Sequence, residues 1–295
     1  MTTTTTMGDV TSKDGTTIGY HRLGHGPGLV LLHGTMQVGR SQIELAQALS
    51  DDFTCYLPDR RGRGMSGPYG PAYGVERETE DLHALLAATG ARYAVGISSG
   101  AIIALRTALT PSALDKIVLF EPPLDIAGSN PTDWLPRFDR EIAAGDTTAA
   151  LVTGMRATRM GPPIFMMMPR VVLQWLTVMA QKGQEKAGAD GEPTFDELAP
   201  TLHYDVQVVA ETATAGDPVA YRPVDAEVLL LGGARSPAYL RTALDALERV
   251  LPRARRMEMA GLGHSATCNA ARHGRPDRVA AEIREFLTSD RLTGP

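Results

Sequence analysis

The chain has 295 residues, 43% of them apolar, and 34 acidic against 29 basic residues give it a net charge of −5. That size and apolar content can build a large buried core. No basic stripe points to nucleic acid and no charge block to an interaction tail, and no apolar run approaches the length that spans a membrane.

Met1 and the threonines up to Thr6 lack the basic and apolar regions of a signal peptide. They are expected to form a frayed leader, with Met7 as an alternative start. Residues 16–23 read as a strand, followed by a glycine-rich turn at 24–28 that puts His21 and His25 in a first hairpin. Leu29-Val30-Leu31-Leu32 is a buried-strand run that ends in His33-Gly34-Thr35-Met36. Residues 39–49 carry helical spacing, 53–57 form the next strand with Cys55 in the core, and 76–89 form a helix stopped by Gly90. Cys55 and Cys268 are far apart and fit no metal-ligand spacing, which suits a reduced, cytoplasmic setting.

The most informative stretch comes next. Ala91 to Val95 reads as a short buried strand, Gly96-Ile97-Ser98-Ser99-Gly100 as a tight turn, and the residues from Ala101 as a helix that ends near Thr110-Pro111. A G-x-S-x-G between a strand and a helix is the signature of a strained turn that holds an exposed serine nucleophile. Centring the motif on Ser98 places glycines two before and two after it, where side chains would collide; centring it on Ser99 puts Ile97 and Ala101 there instead. Ser98 is therefore the expected nucleophile. Residues 116–120 form another strand, running into Glu121-Pro122-Pro123.

From 124 to 221 the strand–helix alternation stops. This stretch is helical in pattern, broken at 161–163 and 188–193, and rich in large apolar residues including Trp134, Phe138, Phe165, Met167, Trp175 and Met179. Most of these are expected to pack helix against helix, and some to line an adaptable apolar pocket. The alternation then resumes with a strand at 228–231, a helix at 238–251, a strand at 255–259 running into Gly261-Leu262-Gly263-His264, and a last helix at 276–287. The terminal 292–295 segment is expected to be loose. Strands alternating with helices imply a parallel sheet covered on both faces. In such sheets ligands lie outside the carboxyl ends of the strands, where His33, Ser98, Glu121 and His264 all fall.

An HG loop, a serine elbow and a late histidine, each just after a strand, resemble the α/β-hydrolase family over about 15–123 and 227–287. The resemblance implies a mostly parallel sheet flanked by helices. Its core would run from 1–123 and 222–295, with a helical cap inserted at 124–221. It also implies a triad in the order Ser, acid, His. Of the seven histidines, only His264 follows the last core strand in a glycine-flanked loop. It is the expected base, with His33 a structural hydrogen-bonder.

The acid departs from the common family pattern. An aspartate is usual in a G-x-x-D stretch after the strand that follows the cap, yet this chain reads Gly232-Gly233-Ala234-Arg235-Ser236. Glu121, one strand after the nucleophile, is the expected replacement, with Asp125 as fallback; Asp225 precedes its strand and lies at the wrong end. The family's oxyanion donors map to the backbone N–H of Ser99 and of Thr35, with Met36 the next choice.

Gly62-Arg63-Gly64-Met65-Ser66-Gly67 matches a dinucleotide-binding pattern but does not open a helix. With Asp59 it resembles instead the family's structural D-x-x-G-x-G-x-S loop. The motif set also looks like that of actinobacterial-type hydrolases of undefined substrate.

The reading is a serine hydrolase needing no cofactor or metal, which cleaves an ester, lactone or related acyl bond of an apolar small molecule. Its alternatives are an acyltransferase, a lyase, a carbon–carbon hydrolase, or a ligand-binding receptor with a vestigial triad. Haloalkane dehalogenases and epoxide hydrolases fit less well, because they carry aspartate where Ser98 stands.

Overall fold

Aliphatic runs with no polar face need cover on both sides. The strands β3 (Gly28–Leu32), β4 (Thr54–Pro58), β5 (Tyr93–Ile97), β6 (Lys116–Phe120) and β7 (Glu227–Gly233) are such runs, buried at nearly every position. A computed structural model describes residues 4–161, 163–187 and 193–289. It joins these strands with β1 (Thr6–Thr11), β2 (Thr17–Leu23) and β8 (Ala254–Met259) in one eight-stranded sheet of order β1-β2-β4-β3-β5-β6-β7-β8. β3 to β8 run parallel, and β1 and β2 are antiparallel additions at one edge.

Alternate strand residues feed two cores. Val30, Leu32, Ile117, Leu119, Val228 and Leu230 pack under α2 (Val75–Thr89), α3 (Ser99–Thr107) and α10 (Ala238–Val250). Leu29, Leu31, Val118, Phe120, Leu229 and Leu231 pack under α1 (Ile43–Leu49) and α11 (Pro276–Thr288).

Two local expectations are corrected. Thr6, the last residue of the expected leader, instead pairs with Arg22 and opens β1, a polar edge strand with only Val10 buried. The glycine turn at 24–28 does not close a hairpin either, because β2 pairs with β1 and β4 while β3 lies on the far side of β4. Boundaries also shift: the elbow strand starts at Tyr93, not Ala91, and residues Gly39–Gln42 form a 3-10 turn before α1.

Between β6 and β7 the described residues form α4 (Leu135–Ala143), α5 (Thr147–Ala157), α6 (Pro163–Met167), α7 (Arg170–Ala187), α8 (Phe195–Leu198) and α9 (Leu202–Glu211). The ends of the stretch are stitched together where Thr214 N–H donates to the Asp125 carbonyl at 2.9 Å and Ala127 N–H to the Thr214 carbonyl at 2.8 Å. Phe138, Ala150, Leu202 and Val206 form a small apolar core of their own, against which Met36 and Trp134 pack. Met167, Trp175 and Met179 are exposed instead of packed. The breaks expected at Pro162 and 188–192, and the loose end at 292–295, lie outside the described residues. Among the described residues no helix is long and apolar enough to cross a membrane.

Candidate active site

Sheet register places the site. Ile97 of β5 pairs with Phe120 of β6, and Phe120 with Leu231 of β7, so the carboxyl ends of β5 and β6 are level and β7 runs two residues past them. The ladder continues one step beyond them, with Ser98 N–H donating to Phe120 carbonyl at 2.8 Å and Glu121 N–H to Leu231 carbonyl at 3.1 Å. Ser98 and Glu121 are thereby fixed side by side.

Both residues hold backbones that L-residues avoid, with φ of 53° at Ser98 and 49° at Glu121. Met36 in the HG loop, at φ 57°, is a third. Strain of this kind costs of order 1–3 kcal/mol per residue and persists where surrounding structure over-determines it. The glycines supply that constraint. A Cβ at Gly96 would stand 2.5 Å from Ala101 Cα, and one at Gly100 would stand 2.4 Å from the Leu32 carbonyl oxygen. A Cβ at Gly34 would meet Ser98 Cβ at 2.8 Å, so the HG loop can lie against the elbow only without a side chain there.

Three side chains meet at this point. His264, in the loop after β8, lies with Nδ1 2.6 Å from Glu121 Oε2 and Nε2 3.2 Å from Ser98 Oγ. A carboxylate accepts only, so Nδ1 carries the proton and Nε2 presents a lone pair to the Ser98 hydroxyl. The other Glu121 oxygen accepts the Gly233 N–H at 2.6 Å. Gly232 makes room for it: a Cβ there would lie 3.3 Å from Oε1. Ser236, where the usual aspartate would stand, is buried with its hydroxyl unpartnered. Asp125 is occupied in a turn, where it accepts the Asn130 N–H at 3.0 Å.

Ser99 opens α3, so its backbone N–H has no acceptor within the helix and lies at the positive end of the helix dipole. The Thr35 hydroxyl donates to Ser99 Oγ at 3.4 Å, which joins the HG loop to the elbow. His33 lies beneath. Its Nε2 accepts the Arg60 N–H at 3.1 Å, so Nδ1 donates to the Gly34 carbonyl at 2.9 Å. Burial, with Arg63 and Arg60 nearby, pushes its pKa well below the usual value and keeps it neutral. Asp59 orders the glycine loop through the N–H groups of Gly39 at 2.7 Å and Met65 at 2.8 Å.

One group at the site has no counterpart in the sequence reading. Beside the elbow, Arg60, Arg63, Glu78 and Asp205 form a buried cluster of two positive and two negative charges, each at most 4% exposed. Burial alone would raise the Asp205 pKa, but the Arg63 and Arg60 guanidiniums outweigh it and hold it down to about 2. A carboxyl whose pKa falls on folding contributes stability above its unfolded pKa and loses it as pH drops through the folded one. The Asp205 contribution is thus complete above about pH 4 and disappears toward pH 2. Urea midpoints of wild type and Asp205→Asn should therefore differ widely at pH 6 and converge as the pH is lowered into that window.

The comparisons agree with this architecture. The chain matches the Alpha/beta hydrolase family over residues 29–282. The crystal structure of an α/β hydrolase from Sphaerobacter thermophilus DSM 20745 superposes with a TM-score of 0.77 at 31% identity, over 95% of this chain and 100% of that one. The esterase RhEst1 from Rhodococcus sp. ECU1013 shares the fold at a TM-score of 0.68 and 22% identity, over 96% of this chain and 98% of that one. A pimeloyl-[acyl-carrier protein] methyl ester esterase of Xanthomonas campestris pv. campestris is 32% identical over 121 residues. That match spans 41% of this chain and under half, 46%, of the esterase. With a family match running from β3 into α11 and a like-sized relative superposing along nearly its whole length, this chain belongs to the α/β hydrolase family.

Proposed function

We propose that the chain is a serine hydrolase that cleaves an ester, lactone or related acyl bond of an apolar small molecule through an acyl-enzyme. The observation that carries this reading is the hydrogen-bonded series Ser98–His264–Glu121 at the ends of three core loops. His264 Nε2 takes the hydroxyl proton as Ser98 Oγ attacks the carbonyl carbon, and Glu121 stabilises the resulting imidazolium. The oxyanion is met by the N–H groups of Ser99 and Thr35. His264 then gives its proton to the leaving oxygen. Water repeats the attack on the acyl-enzyme and restores Ser98.

Residues 124–221 act as a cap over a core made of 1–123 and 222–295. The apolar cluster of Phe138, Leu202 and Val206, with Met36 from the HG loop packed on it, supports an apolar substrate body. The match to a methyl ester esterase supports an ester as the bond cleaved. Cys55 and Cys268 are buried and form no disulfide, which favours a reducing, cytoplasmic setting.

Labelling with a fluorophosphonate, read by intact mass, tests the reading. Folded wild type should take up one adduct, and Ser98→Ala none. A folded wild type that stays unlabelled, or an adduct retained in Ser98→Ala, would overturn it and leave ligand-dependent stabilisation without turnover as the behaviour to look for.

A further inference from the structure

The residue after the nucleophile is gripped from three sides. Ser99 Oγ accepts from Arg60 Nη1 at 2.9 Å and from the Thr35 hydroxyl at 3.4 Å, and donates to Asp205 Oδ1 at 2.8 Å. A hydroxyl has one donor and two acceptor positions, so its capacity is full.

Asp205 is not part of the sheet core. It lies on α9, more than one hundred residues downstream of the elbow, and its carboxylate joins two arginines: Oδ1 takes Arg60 Nη1 at 2.7 Å and Oδ2 takes Arg63 Nη2 at 2.6 Å. Arg63 in turn donates to the carbonyls of Gly34 and Gln37, both at 3.3 Å, which bracket Thr35 and Met36. One carboxylate therefore sits where the supports of both oxyanion-side backbones converge.

We infer that Asp205 is a positioning residue. Through Ser99 directly, and through Arg63 onto the HG loop, it sets the spacing of the two backbone N–H groups that meet the oxyanion. This makes α9 part of the catalytic framework as well as of the cap. The inference rests on the hydrolase reading above. Its consequence is specific: loosening Asp205 weakens binding of the tetrahedral state and leaves ground-state binding and the Ser98–His264–Glu121 geometry alone.

The test compares wild type with Asp205→Asn, Ser99→Ala and Tyr73→Phe, each confirmed as folded by its melting curve. Ser99→Ala buries no uncompensated charge, so it remains informative should Asp205→Asn fail to fold. Tyr73 donates to Glu78 at 2.8 Å on the far side of the same network, and its loss loosens the cluster away from Ser99. For a p-nitrophenyl ester, Asp205→Asn should lower kcat about ten- to a hundredfold. KM should stay near wild type, and affinity for a trifluoromethyl ketone should fall in step with kcat. Ser99→Ala should move the same way by less, while Tyr73→Phe lowers the melting temperature and keeps kcat. Folded Asp205→Asn with wild-type kcat and ketone affinity would overturn the positioning role, as would equal losses in Tyr73→Phe and Ser99→Ala. A wild type inert to fluorophosphonate would instead overturn the hydrolase reading and this inference with it.

Discussion

Glu121→Gln is expected to fold as wild type does and to lose about 10³–10⁴-fold in kcat. The size follows from the second partner of the carboxylate. Glu121 Oε1 accepts the Gly233 N–H at 2.6 Å, and that donor cannot turn away because it belongs to the strand end of β7. In the glutamine variant the amide oxygen must face Gly233, since the opposite orientation would set two buried donors against each other. The amide NH₂ then faces His264 Nδ1, which must become the acceptor. The ring proton moves to Nε2, and the lone pair that should take the Ser98 proton is gone. Steady-state kinetics beside a thermal melt checks this. A folded variant with kcat within a factor of ten of wild type, about 1.4 kcal/mol of barrier, would remove Glu121 from the mechanism.

The same carboxylate shows what the sequence disclosed and what it withheld. The elbow was legible because its requirements are local: glycines at fixed offsets from Ser98 answer collisions with Ala101 and Leu32 that any such turn would produce. Ser236 flagged a missing acid, and the nearest carboxylate at a strand end was Glu121. The bare pair Gly232-Gly233, which makes room for that carboxylate and donates to it, carries no such meaning in the sequence alone, since its role depends on β6 lying beside β7.

Elsewhere the same limit applies. β1 has no signal in the sequence because Thr-Met-Gly-Asp-Val-Thr offers only Val10 to the core, and an edge strand is defined by its neighbour rather than by its own pattern. Sequence adjacency suggests a β2–β3 hairpin, whereas the chain inserts β4 between them. Asp205 was invisible for the strongest reason. It is one acidic residue on a helix whose other members carry ordinary amphipathic spacing, and its partners Arg60 and Arg63 are 145 and 142 residues away. Arg60 and Arg63 did fall in a recognised loop motif. That motif announced a structured loop, without saying that the loop would need a counter-charge from α9.

The largest stability effect is expected from Glu78→Gln. Arg60 is fully enclosed and grips Glu78 with two parallel bonds, Nη2 to Oε1 at 2.7 Å and Nε to Oε2 at 3.1 Å. Burial works against the charge on Arg60, and Glu78 with Asp205 reverses that and raises its pKa well above the usual value. An ion pair of this kind adds little against a well-packed apolar substitute, because desolvating both charges cancels most of their attraction. Removing one partner is a different matter. It leaves Arg60 charged, buried and sharing Asp205 with Arg63, at a cost of about 3–5 kcal/mol. For a chain of this size that is roughly 5–8 °C in melting temperature. The paired replacement Arg60→Met with Glu78→Leu removes both charges but leaves Asp205 facing Arg63 alone, which keeps that half of the cluster neutral. It should therefore lose less than Glu78→Gln does by itself. Denaturant melts of the two variants decide the point. A double replacement as unstable as the single would mean that the cluster is held by shape and packing, and that charge balance is not what Glu78 supplies.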